Sequence, residues 1–127
     1  MRCEVIGVRR KHHELKVWQE AITLVKEVYR ITVNFPHTEM YGLTSQMRRA
    51  AVSIPSNIAE GAARKSTNEF LQFLAIARGS LSELETQLVI TKELGYLMQD
   101  EQITIRIDKI FGLLGGLINS IKKWNSK

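Results

Sequence analysis

Between residues 46 and 64 of this 127-residue chain, Gln46, Arg49, Ser53, Asn57, Glu60 and Arg64 recur at three- and four-residue spacing. On a helix, residues so spaced share one face. Gln46, Ser53, Asn57 and Glu60 form a candidate recognition stripe, against which stand the plainer readings of a solvated surface or a set of interhelical salt bridges. Glu69, Ser80, Glu83 and Gln87 make a comparable row further on, with Arg78 and Glu85 on an adjacent line. Arg48, Arg49, Arg64 and Lys65 bracket the first row and are the candidate nucleic-acid contacts, because arginine and lysine neutralise phosphates without reading bases. Neighbours on a helix point about 100° apart. One of Arg48 and Arg49 is therefore expected to face a ligand and the other to pair with a carboxylate such as Glu60 or Glu85. Arg9, Arg10 and Lys11 near the start, and Lys122, Lys123 and Lys127 at the end, add positive charge.

Other chemistries find no support. A bundle that holds two irons needs Glu-x-x-His on two helices, and no histidine follows His37. His12 and His13 are adjacent and have no cysteine or carboxylate framework around them, so neither a metal nor a cofactor is expected. None of Ser45, Ser53, Ser56 or Ser80 sits in a Gly-x-Ser-x-Gly elbow, and no phosphate-binding glycine loop is present. The sequence reads as non-enzymatic. It also lacks a helix-turn-helix, zinc-finger or aromatic RNA-binding signature.

The elements that must position these residues follow from apolar periodicity. Leu15, Trp18, Ile22, Val25 and Tyr29 mark a first helix, with Val17, Leu24, Val28 and Ile31 as a second apolar row, and Phe35-Pro36 ends it. A second helix is expected from about Glu39 to Ala63, bearing Leu43, Met47, Ala50, Ile54 and Ile58. Pro55 lies inside it and predicts a kink, since proline removes a hydrogen bond and crowds the carbonyl of Ala51. Gly61 is expected to weaken its last turn. Ser66-Thr67-Asn68-Glu69 has the form of a capping box before a third helix carrying Phe70, Leu74, Ala77, Leu81, Leu84 and Leu88, which Gly95 closes. Asp100 can cap a fourth, whose stripe runs Ile103, Ile107, Ile110, Leu114, Leu117, Ile121, Trp124. The pattern predicts an all-α, antiparallel up-and-down four-helix bundle, kinked at Pro55. Val17, Leu24, Val28 and Ile31, with Phe111, Leu113 and Ile118, widen the apolar faces of helices one and four beyond one seam. That width fits either a broad core face or a subunit interface. Gly112, Gly115 and Gly116 favour the interface, because each costs roughly 1 kcal/mol relative to alanine and suits close backbone approach.

Composition sets the outer bounds. The chain is 44% hydrophobic, with 18 Lys+Arg against 13 Asp+Glu, a net charge of +5 and a pI near 9.6. These values fit one globular domain with its own core and a mild preference for polyanions. We divide it into a basic N-terminal arm, 1–13, and a bundle domain, 14–127. Cys3, the single cysteine, cannot form an internal bridge, so a cytoplasmic setting is expected. The apolar run Ile110 to Ile118 is far shorter than the roughly 20 residues of a membrane span.

The run Leu43-Thr44-Ser45-Gln46-Met47-Arg48-Arg49-Ala50-Ala51-Val52-Ser53-Ile54-Pro55-Ser56-Asn57-Ile58-Ala59-Glu60-Gly61 closely resembles the 23S rRNA intervening-sequence protein family, also called S23. The resemblance continues through Ser66 to Glu69, Phe70-Leu71-Gln72-Phe73-Leu74, the run Ala77 to Gln87, and Leu94-Gly95-Tyr96-Leu97, and covers about Leu15 to Trp124. It implies a four-helix bundle that assembles into a ring, often a homopentamer, sometimes encoded within insertions in bacterial 23S rRNA genes, with no established reaction. The family is also similar to basic pentameric accessory proteins of diversity-generating retroelements, which associate with nucleic acid. The start, Met1 to His13, is longer and more basic than the family pattern. Two functions follow as expectations: an oligomeric bundle that binds structured RNA or other nucleic acid electrostatically, and a protein-interaction scaffold without nucleic-acid contact.

Overall fold

The computed structural model describes residues 10–98 and 100–125. Four α-helices carry the chain: α1 Lys16–Thr32, α2 Leu43–Ala62, α3 Thr67–Glu93 and α4 Glu101–Asn125, with short 3-10 turns at Lys11–Glu14 and His37–Glu39. There is no strand among the described residues, so the fold is an all-helical four-helix bundle. Among the described residues no helix is long and apolar enough to cross a membrane. Of the basic arm, residues 1–9 lie outside the described residues; His13, at its other end, is buried.

Apolar side chains from all four helices meet in one core: Leu24 and Val28, Met47 and Ile54, Leu74 and Leu84, Ile107 and Leu114 are all fully buried. Each such side chain contributes about 1.5–3 kcal/mol by leaving water. On α1 the core is built by Val17, Trp18, Ala21, Leu24, Val28 and Ile31. The second apolar row, open to either a core or an interface reading, is thus interior, while Leu15, Ile22 and Val25 are only half-buried and Tyr29 is exposed. Ile118 is likewise buried, and Phe111 and Leu113 pack against the core. The extra apolar width of α1 and α4 is therefore mainly a broad core face.

The caps of α3 and α4 form as their residues dictate. Ser66 Oγ accepts the Glu69 N–H at 3.4 Å, and Gly95, with φ +77°, follows the last turn of α3. Tyr96 N–H then bonds Thr91 O and Gly95 N–H bonds Lys92 O, satisfying two terminal carbonyls. Asp100 Oδ1 accepts the Ile103 N–H at 3.2 Å. The expected start of α2 is too early. Glu39 ends a 3-10 turn, its Oε1 accepts the Leu43 N–H at 3.1 Å, and its Oε2 accepts the Tyr96 hydroxyl at 3.0 Å. One carboxylate thus caps α2 and ties the end of α3 to it.

α2 and α3 pack most extensively. Gly61 permits this: a Cβ there would stand 2.7 Å from Phe73 Cβ and 2.9 Å from Phe70 Cδ1. Its role is close packing rather than fraying of the last turn. Gly112, Gly115 and Gly116 differ, since added methyl groups would meet nothing within 4 Å. Helix α2 carries Pro55, buried, within its span.

Candidate nucleic-acid interface and polar seam

The four nominated cations fall into two separate pairs. Arg48–Arg49 and Arg64–Lys65 are fifteen or more residues apart, roughly 23 Å along a helix at 1.5 Å per residue. Arg48 is half-buried, donates from Nε to Thr32 Oγ1 at 2.9 Å, and lies 4.6 Å over the Tyr29 ring. It pins α2 to α1 through a hydroxyl and an aromatic face, not through the carboxylate expected. Arg49 is exposed and lines a shallow groove of about 170 Å³ with Gln46, Ser53, Ser80 and Glu83.

Arg64 follows α2, 3.6 Å from Glu60 and 3.9 Å from Glu69, with its guanidinium 5.1 Å over Phe73. These are long, exposed ion pairs, worth little each. Lys65 is exposed in the α2–α3 connection and has no ion pair among the described residues. Arg10 and Lys11 in the first turn, and Lys122 and Lys123 at the end of α4, are also exposed.

The recognition stripe is largely a polar seam between helices. Ser53 and Ser80 hydroxyls stand 2.9 Å apart, and Asn57 Nδ2 donates to Ser53 O at 2.8 Å and to Ser53 Oγ at 2.9 Å. Ser53 and Asn57 thus spend their hydrogen bonds within the fold. Gln46 is exposed at the groove, and Glu60 is drawn to Arg64. Opposite, Gln87 is buried: Nε2 donates to Glu83 Oε2 at 3.3 Å, while Oε1 has no partner among the described residues. That acceptor forgoes about 1–3 kcal/mol of solvation.

Sequence reasoning missed the strongest electrostatic cluster. Arg106 of α4 donates from Nε to Glu27 and from Nη1 to Glu20, both at 2.5 Å, and Lys109 adds a 3.3 Å contact to Glu20. Burial opposes the charge of Glu20, but hydrogen bonds from Lys109 and Arg106 and their positive charges outweigh it and hold the carboxyl below its ordinary value. Burial likewise opposes the charge on Arg106, and Glu27 and Glu20 overcome it. The signal was present as Glu20 and Glu27 seven apart on one helix and Arg106 and Lys109 three apart on another, visible only once the pairing of α1 with α4 is known.

His12 and His13 pack on Trp18, with ring centroids 5.1 Å from it in each case. His13 Nδ1 accepts the Arg10 N–H at 3.0 Å. Burial, then the neighbouring His13 and Arg10, push His12 below the usual histidine value. Among the described residues there is no group of three or more His, Cys, Asp or Glu placed to hold a metal ion.

A four-helix bundle with a polar seam between α2 and α3 and cations on its turns is the class these features define. Residues 13–116 match the family described as 23S rRNA-intervening sequence protein, and the chain belongs to that family. No curated protein matches it.

Proposed function

We propose that this protein is a non-catalytic, oligomeric bundle of the bacterial cytoplasm that binds structured RNA or other nucleic acid electrostatically. The observation that supports it is the distribution of charge at the ends of an antiparallel arrangement. Arg30 meets Asp100 while Glu20 meets Arg106 and Lys109, so moving forward along α4 moves backward along α1. Ser53 meets Ser80, and Gly61 meets Phe73, so moving forward along α2 likewise moves backward along α3. In that arrangement the first turn, the α2–α3 connection and the end of α4 share one end. Arg10, Lys11, Arg64, Lys65, Lys122 and Lys123 gather there against Glu14, Glu60 and Glu69. Such a cationic end attracts phosphates by charge alone. We place a bend of α2 at Pro55, with Ala51 O released from its usual partner.

Assembly into a homo-oligomer, a pentamer, fits the open glycine surface of α4 at Gly112 and Gly116, next to Ile105, which is 66% exposed. Light scattering at micromolar concentration is expected to report the oligomer and Ile105→Glu to weaken it; a stable wild-type monomer removes that part. For nucleic acid, Arg64→Ala/Lys65→Ala is expected to weaken binding to many RNA sequences alike while leaving the bundle folded. Unchanged binding, or no wild-type affinity at low salt, overturns the reading. The protein-scaffold alternative is favoured by a different observation, the exposed Val89, Ile90 and Leu94 along the last turns of α3. A partner held there by apolar contact would survive high salt, unlike phosphate binding.

A further inference from the structure

The apolar stripe of α4 ends on an exposed residue. Ile103, Ile107, Ile110 and Leu114 are buried and Leu117 and Ile121 half-buried, yet Trp124, the next residue in the stripe, is 80% exposed. The other tryptophan, Trp18, is 7% exposed. Thr104 and Ile107 of α4 line one groove with Glu85, Val89 and Lys92 of α3. Equal steps along both helices from that level bring Trp124 beside the first turn of α3, near Phe70 and within about two turns of Lys65. The exposed indole therefore overhangs the end where the cations gather, with Lys122 and Lys123 immediately before it.

An isolated exposed apolar residue needs no explanation, but an indole among cations matches one ligand chemistry closely. Single-stranded nucleic acid presents unpaired base faces and a phosphate backbone together, and proteins that take it combine aromatic platforms with positive grooves. A duplex hides its base faces by stacking. Resting on the nucleic-acid reading above, we infer that Trp124 is a base-stacking residue. The end of the bundle it overhangs takes single-stranded nucleic acid, an unpaired base lying on the indole and the flanking phosphates reaching Lys122 and Lys65.

The test uses the full chain at low salt with two labelled probes, oligouridylate and a blunt RNA duplex with the same number of phosphates. Oligouridylate is expected to quench the exposed tryptophan, and Trp124→Ala to lose the quench and bind it about tenfold more weakly. Trp124→Phe is expected to recover most of that affinity, and duplex affinity to remain unchanged in both variants. The helical circular dichroism and the mass by light scattering are expected to match the wild type. Equal oligouridylate binding by Trp124→Ala, or an equal loss for duplex, overturns the stacking role while leaving electrostatic binding standing. A lower mass on substitution assigns the indole to a contact between copies and overturns it too. Failure of the wild type to bind either probe removes the electrostatic reading itself and the stacking role with it.

Discussion

Ser53 and Ser80 join hydroxyls at 2.9 Å across the α2–α3 seam, and Asn57 completes the set by donating to Ser53 from one turn away. Both serines are half-buried, so removing one hydroxyl leaves the other poorly solvated. Ser53→Ala and Ser80→Ala are each expected to cost about 1 kcal/mol, and the double variant less than their sum. Denaturant melts of the four proteins check this; strictly additive losses contradict it.

Two glycines in helices should respond in opposite ways to alanine. At Gly61 the methyl group collides with Phe73 and Phe70, so Gly61→Ala is expected to destabilise by about 1–3 kcal/mol despite alanine's better helix propensity. At Gly79 of α3 the space is open, and Gly79→Ala is expected to stabilise the folded chain by roughly 1 kcal/mol. Thermal melting of both variants reads the signs directly.

Acid should loosen the α1–α4 pairing. Burial opposes ionisation of Asp100, but hydrogen bonds from the Ile103 N–H and Arg30 outweigh it and lower its pKa, as Lys109 and Arg106 lower that of Glu20. A carboxyl depressed in the folded state contributes stability above its unfolded pKa, and that stability is lost as pH falls through the folded value. The melting temperature is therefore expected to hold from pH 7 to about 5 and fall below about pH 4. In Arg30→Ala/Lys109→Ala this acid fall should be shallower. An equal fall in the variant shows that other carboxylates govern it.

The Arg106 guanidinium is the sole described partner of Glu27, whose side chain is 10% exposed. Arg106→Ala is expected to cost about 3 kcal/mol, chiefly by leaving a buried carboxylate uncompensated. Glu27→Gln in the same background should recover part of it, measured by denaturant midpoint. No recovery shows the loss to be one of packing.

Local signals carried much of the fold. Ser66, Gly95 and Asp100 each mark a helix end through their own hydrogen bonds or backbone angle, and those ends were legible. What depends on a distant partner was not. On α1 two adjacent apolar rows both lie within a helical face, and only packing selects Leu24 and Val28 for the interior over Ile22 and Tyr29. Gly61 read as a weak turn because Phe70 and Phe73, which meet it, sit on the next helix. Arg48 read as a phosphate contact because Tyr29 and Thr32 sit on another helix. The stripe of α4 was legible through Trp124, but that its last member is exposed while Ile110 and Leu114 are buried depends on what the neighbouring helices cover.

The most direct measurement is the affinity of the full chain for one structured RNA as a function of salt, for wild type and Lys65→Ala/Lys122→Ala. Each phosphate contact contributes about 0.7–0.9 to the slope of log K against log salt. The wild type is expected to weaken steeply and linearly as salt rises, and the variant to bind less tightly with a slope shallower by about 1.5. A flat wild-type line, or an unchanged slope in the variant, contradicts an electrostatic nucleic-acid interface at this end of the bundle.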